Sequence, residues 1–178
     1  GDLEWGLIPY IRSSSFWLDW TNKAPWAVAQ VATHLLRLTP AMVIMASLLV
    51  TGSRRHDLFL VKGRIDAPVE PSRLLGMKRP EPWTRTGSIF AIVFTTIMAA
   101  FLILAWKPTM NSFISALPLI PVAILIAAIN AFNEEFTLRA APLSTLTPRA
   151  VGRQQALALT AIFFGLGHFY GVPNGIPG

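Results

Sequence analysis

The sequence predicts an all-α, polytopic transmembrane helix bundle of about four helices, and three observations predict it. Of 178 residues, 53% are hydrophobic and only 13% are charged, with a mean hydropathy of +0.51. The apolar residues are clustered into long runs, more than a soluble domain needs to fill a core. Hydrocarbon offers no partner to an open peptide group, so runs of this length must close their backbone hydrogen bonds internally, as helices.

Taken in order, residues 1–25 mix Trp5, Tyr10, Phe16, Trp17 and Trp20 with Asp, Glu, Arg and Lys. That mixture suits the membrane–water boundary, where amphipathic rings anchor, and 1–25 is read as an interfacial segment. Residues 26–178 are read as one transmembrane helical domain. Its first span, 26–51, is interrupted by His34, Arg37 and Pro40; His34 and Arg37 are expected to snorkel or to pair inside the bundle. The second, "GSIFAIVFTTIMAAFLILAW" over 87–106, is free of charge and long enough to cross. A third runs from about 112 to 132, and a fourth from about 154 to 170, "QQALALTAIFFGLGHFY". No repeat is present. Cysteine is absent, which excludes disulfides and thiol catalysis. The chain opens on Gly1 and stops in "GVPNGIPG", and it reads as a piece of a longer one. No signal peptide is recognisable in the first 25 residues.

The net charge of +6 does not point to nucleic acid. Residues 52–86 hold Arg54, Arg55, Lys62, Arg64, Arg73, Lys78, Arg79 and Arg85 against Asp57, Asp66, Glu70 and Glu81. The connection after the second span has only Lys107, and the one before the fourth has Arg149 and Arg153. Basic loops stay on the cytoplasmic side, so 52–86 and 140–153 are expected there, in a prokaryotic cytoplasmic membrane. Pro68, Pro71, Pro80 and Pro82 prevent the long loop from forming one helix.

Directly after the third apolar run comes "NEEFTLR", residues 133–139. Continued as an α-helix, it brings Asn130, Asn133, Glu134 and Thr137 onto one face. Glu135 and Arg139 are four apart on another face, in pairing orientation. Glu134 thus lacks a local cation, on a stripe that must face the bundle interior or water. A generic junction of this kind is a helix leaving the membrane, with surface charges. The fourth run changes the balance, because "TAIFFGLGH" places Thr160, Phe164 and His168 on one face. Ala161 and Gly165 form a small-xxx-small pair that permits close helix contact.

The connection "LTPRA" offers Thr147 as an N-cap and Pro148 as a first helical residue. A break or kink at Pro142, with the turn centred near Val151, would bring Glu134 and His168 to equal height in an antiparallel hairpin. Both would then lie roughly 25 Å from its tip. Such a tip would project into the cytoplasm and the site would lie in a cytoplasm-facing cavity. A carboxylate and an imidazole converging there can activate water for attack on a peptide carbonyl. No serine or threonine has a base and an orienting acid at recognisable spacing, and the HExxH helix of zinc proteases is absent. Glu134, Glu135 and His168 supply too few ligands for zinc by themselves.

These residues resemble a known family. "EEFTLR" is similar to the EExxxR motif, and "FGLGH" to the FxxxH motif, of the CPBP family, which comprises CAAX prenyl proteases and bacteriocin-processing (Abi) proteins. "LLGMKRPEPW" resembles the stretch that precedes the first core helix there, so the likeness spans about 73–170, an incomplete core. The resemblance implies an intramembrane endopeptidase of the glutamate type. In it Glu134 activates water and His168 assists. Glu135 and Arg139 complete the first motif as supporting groups, and Phe164 packs under the histidine; Asn130, on the same helical face as Glu134, is read as a further supporting residue. It implies no fixed cofactor, although a divalent metal such as zinc, held by Glu134 and His168, stays open. The partners implied are membrane lipid and a membrane-associated or lipidated protein substrate. Two departures stand out: Ala140 replaces the glycine that commonly follows the arginine, and the family's later histidine and oxyanion-binding asparagine have no counterpart, since Asn174 lies in an irregular Gly/Pro segment. Two other functions fit the same letters, a transporter subunit using Glu134 as an ion relay and a protease-like protein that binds without cutting.

Overall fold

The structure, a computed structural model, describes residues 6–71, 76–146 and 152–168, without the side chain of Arg153. It is almost entirely helical. Residues 1–60 with 118–178 form one compact unit and residues 61–117 a second.

The first unit starts with two short helices, α1 (Ile8–Ser13) and α2 (Ser15–Lys23). Ser14 separates them in an extended conformation, and its side-chain oxygen accepts from the Trp17 amide at 3.2 Å, capping α2. Extended Ala24 and Pro25 then lead into the long helix α3 (Trp26–Val50). Pro40 lies inside α3 and cannot donate to the carbonyl of Leu36, four residues back. The hydroxyl of Thr39 donates to that oxygen instead, at 2.7 Å, the kind of substitution that lets a proline persist in an apolar helix. His34 is half-buried and its Nδ1 donates to the Gln30 carbonyl at 2.8 Å.

The polypeptide re-enters this unit with α6 (Ile120–Glu135), a π-helical turn (Phe136–Ala140) and α7 (Ala141–Leu146), followed by α8 (Arg153–His168). The core lies where the π turn meets α3. Ala41, Leu58, Phe136, Ala140 and Ala141 are buried together, flanked by Leu38, Ile44, Met45, Leu48 and Leu60. Three of the five are alanines, so the backbones approach closely, as packing in lipid favours. Leu58 belongs to the loop after α3, which folds back through a left-handed Phe59 (φ 57°).

In the second unit, β1 (Pro68–Val69) and β2 (Glu81–Pro82) form a minimal antiparallel pair with Pro68 opposite Pro82. Helix α4 (Trp83–Trp106) follows at once, with the Trp83 amide donating to the Ala67 carbonyl. The Trp83 ring lies over Gly87, where an added Cβ would come within 3.2 Å of it. α4 stops at Lys107, which is left-handed (φ 43°). Thr109 caps α5 (Met110–Ala116) by accepting from the Ser112 amide.

The expected count of about four helices needs correction. The described residues contain eight α-helical stretches, of which three helical runs are long and apolar enough to cross a membrane: Trp26–Val50, Trp83–Trp106 and Met110–Leu146. Long apolar runs are visible in composition, whereas α1 and α2 are short and of mixed polarity and leave little trace there. The expected fourth span is 16 residues in its described part, about 24 Å at the helical rise, short of a bilayer's hydrocarbon thickness. The expected turn at Thr147, Pro148 and Val151, and residues 169–170 of that span, lie outside the described residues. So do Trp5, Arg73 and Arg149, the leucines of "LLGMKRPEPW", and Asn174.

Candidate active site

The glutamates sit at the junction between α6 and the π turn, and Pro142 explains why the turn is there. In a continued α-helix the Pro142 ring would press on the Leu138 carbonyl and leave it without a donor. The wider turn relieves this: Ala141 donates to the carbonyl of Phe136, five residues back. Phe136 itself is buried, stacked on Phe132 at 5.8 Å between ring centroids. The α-helical register expected through residue 139 therefore ends at Glu135, and Thr137 lies on the widened turn.

Two glutamates one residue apart in this frame face different partners. Asn130, one turn back on α6, donates its amide to Oε1 of Glu134 at 2.8 Å. The other oxygen, Oε2, lies 3.8 Å from Nε2 of His168 on α8. Glu135 meets Arg139 at 3.2 Å, with both side chains more than half exposed, so this pair contributes at most about 1 kcal/mol. Arg139 also stands over the ring of Phe164 at 5.3 Å, and Phe164 stacks on the His168 imidazole at 4.6 Å. All six residues singled out from the sequence, Asn130, Glu134, Glu135, Arg139, Phe164 and His168, thus form one connected cluster across α6, the π turn and α8.

The hydrogen bonds also orient the imidazole. Nδ1 of His168 is 2.9 Å from the Phe164 carbonyl oxygen. A carbonyl can only accept, so Nδ1 carries hydrogen and the neutral ring presents the lone pair of Nε2 to Glu134. A separation of 3.8 Å is too long for a direct hydrogen bond and shorter than the roughly 4.5 Å that two acceptors sharing one water span, so a small rotation of either side chain opens the gap to a water. The side chains of His168 and Glu134 are 36% and 30% exposed, so the gap between them is reachable.

Other features were not anticipated. Oδ1 of Asn133 and Oγ1 of Thr137 are buried with no hydrogen-bond partner among the described residues. Thr33 and Thr160 bond back to the preceding turn, to Ala29 and Ala156; Thr137 on the π turn does not, and neither does the buried hydroxyl of Thr86 in the first turn of α4. The close-packing glycine is also a different one. Gly165 and Ala161 are exposed, and a Cβ on Gly165 would meet nothing. It is Gly167 that abuts Leu138 of the π turn, at 3.2 Å for an added Cβ. A spacing rule finds small pairs but not which side of α8 faces its neighbour.

As a metal site the cluster is poor. Among the described residues no group of three His, Cys, Asp or Glu side chains converges. Glu134 and His168 offer two donors where catalytic zinc takes three protein ligands, and Glu135 is turned to Arg139.

No curated protein and no solved structure matches the chain. A family model does match, over residues 116–177, and its description is type II CAAX prenyl endopeptidase Rce1-like. That stretch is less than half of the chain, but it contains α6, the π turn, α7 and α8, hence every residue of the cluster, and it is over these elements that the chain is similar to the CAAX-protease-like family.

Proposed function

We propose that the protein is an intramembrane endopeptidase that hydrolyses a peptide bond of a membrane-associated or lipidated protein, using water activated by Glu134 and His168. One observation carries the reading: Nε2 of His168 and Oε2 of Glu134 face each other at 3.8 Å while Nδ1 is committed to the Phe164 carbonyl. A water between them donates one hydrogen to each. Glu134, held through Oε1 by Asn130, removes a proton as the water oxygen bonds to the scissile carbonyl carbon. The carbon–nitrogen bond then breaks, and the same proton passes to the departing amine nitrogen. Glu134 ends as it began. His168 holds the water's second hydrogen, and stacking on Phe164 under Arg139 fixes the plane of its ring. Supporting this assignment are the family match over the cluster and the three membrane-length helices. The basic loops 52–86 and 140–153 are assigned to the cytoplasmic side, where the site would meet its substrate.

Cleavage of a membrane-anchored candidate substrate tests the proposal. Glu134→Gln and His168→Ala should each lower the rate by about 10²–10⁴-fold. The double variant should fall little further, because the two groups hold one water. Cleavage should persist in the presence of a chelator. Activity that survives both single substitutions overturns the reading.

A further inference from the structure

At the other end of α3, well before the core packing that starts at Leu38, α1, α2 and α3 enclose a groove of about 690 Å³. Its chemistry is one-sided. Arg12, Asn22, Gln30 and the indoles of Trp17 and Trp26 line it, and among the described residues no carboxylate does. Among the described residues none of these side chains has a hydrogen-bond or ion-pair partner. The neighbouring pair on α2, Lys23 with Asp19, is closed on itself at 2.8 Å and lies outside the groove. Thr33, at the groove's inner end, donates its hydrogen to the Ala29 carbonyl and keeps only acceptor capacity.

A concave surface whose described lining has one cation, two free amides, two indole N–H groups and no acid is built for an anion rich in oxygen acceptors. Around it the same helices expose large apolar rings outward: Tyr10 is 73% and Phe16 77% exposed. Aromatic residues flanking the start of a membrane-length helix sit at headgroup depth, where the available anion is a lipid phosphate. We infer that this groove is a binding site for the phosphate headgroup of an anionic phospholipid, which docks α1 and α2 onto the bilayer surface. Arg12 and the two amides hold the phosphate, Trp17 and Trp26 flank it at the glycerol level, and the acyl chains run along α3. The site is separate from the Glu134–His168 cluster and does not depend on its chemistry.

Native mass spectrometry of the purified protein, equilibrated with equimolar phosphatidylglycerol and phosphatidylcholine in detergent, tests this. Retention of phosphatidylglycerol over phosphatidylcholine by about fivefold or more is expected, the size of one cation's attraction to an anionic headgroup. Arg12→Gln should bring the ratio near one, Arg12→Lys should restore most of it, and Arg54→Gln in the basic loop should leave it unchanged. Equal retention of the two lipids by the unaltered protein overturns the inference, as does a preference that survives Arg12→Gln. An equal loss in Arg54→Gln would also overturn it, because overall charge would then be the cause.

Discussion

Helix α4 and the run from α5 to α7 are almost equally apolar, with windows of mean hydropathy 2.5 and 2.4, yet they are built differently. α4 is an uninterrupted helix of 24 residues whose flanks are exposed along nearly its whole length and which is long and apolar enough to cross a membrane. The other run is broken by a 3-10 turn at Leu117–Leu119 and by the π turn, and at the second break it carries an amide, two carboxylates and an arginine. Apolarity marks where a chain crosses a membrane. What marks chemistry is the place where an apolar helix stops being regular and polar groups gather around the irregularity.

The largest effect that would sharpen this contrast is on stability. Phe136 is 2% exposed at the centre of the π turn, and Phe94 on α4 is 64% exposed. Phe136→Ala should cost about 3–5 kcal/mol in a denaturant titration of the detergent-solubilised protein. Phe94→Ala should stay within about 0.5 kcal/mol. Similar losses at both positions would mean that the π turn is no better packed than the exposed flank of α4, and the comparison would break.

A middle-sized effect concerns the ring that joins the two motifs. Phe164 stacks on His168 and lies under Arg139. Phe164→Leu keeps the apolar bulk and removes both ring interactions, each about 0.5–1.5 kcal/mol. Since the stacking orients the imidazole, cleavage should fall by about tenfold with little change in KM. A rise in KM at constant kcat would instead make Phe164 a substrate contact.

How much of this could be read from the letters follows from the same contrast. The span over α4 was legible because twenty charge-free residues leave one option in lipid. Asn130, Glu134 and His168 were legible because helical spacing puts each on a polar stripe, and the two motifs resemble a family. The π turn was not, although Pro142 announces some break: local sequence says that the α-helix must yield, while contact with Ala41 and Leu58 decides that it yields as a wide turn. The choice of Gly167 over Gly165 was hidden for the same reason, being a matter of which way α8 is rotated against Leu138. The groove around Arg12 depends on three helices meeting, and no single stretch encodes that.

The smallest effect is the most particular to the π turn, because it is one of sign. Thr160 on α8 donates its hydroxyl to the carbonyls of Ala156 and Leu157, whereas the buried hydroxyl of Thr137 has no partner among the described residues. Valine matches threonine in shape and β-branching, so Thr→Val at either site changes little except the hydroxyl. Thr160→Val should lose roughly 0.5–1.5 kcal/mol, the net worth of a satisfied hydrogen bond, whereas Thr137→Val should be neutral or gain up to about 1 kcal/mol by removing an unmatched buried dipole. The same denaturant titration reads both. A loss at Thr137 as large as that at Thr160 would show that its hydroxyl is bonded in the folded protein, and in this respect the π turn would then be no different from regular α8.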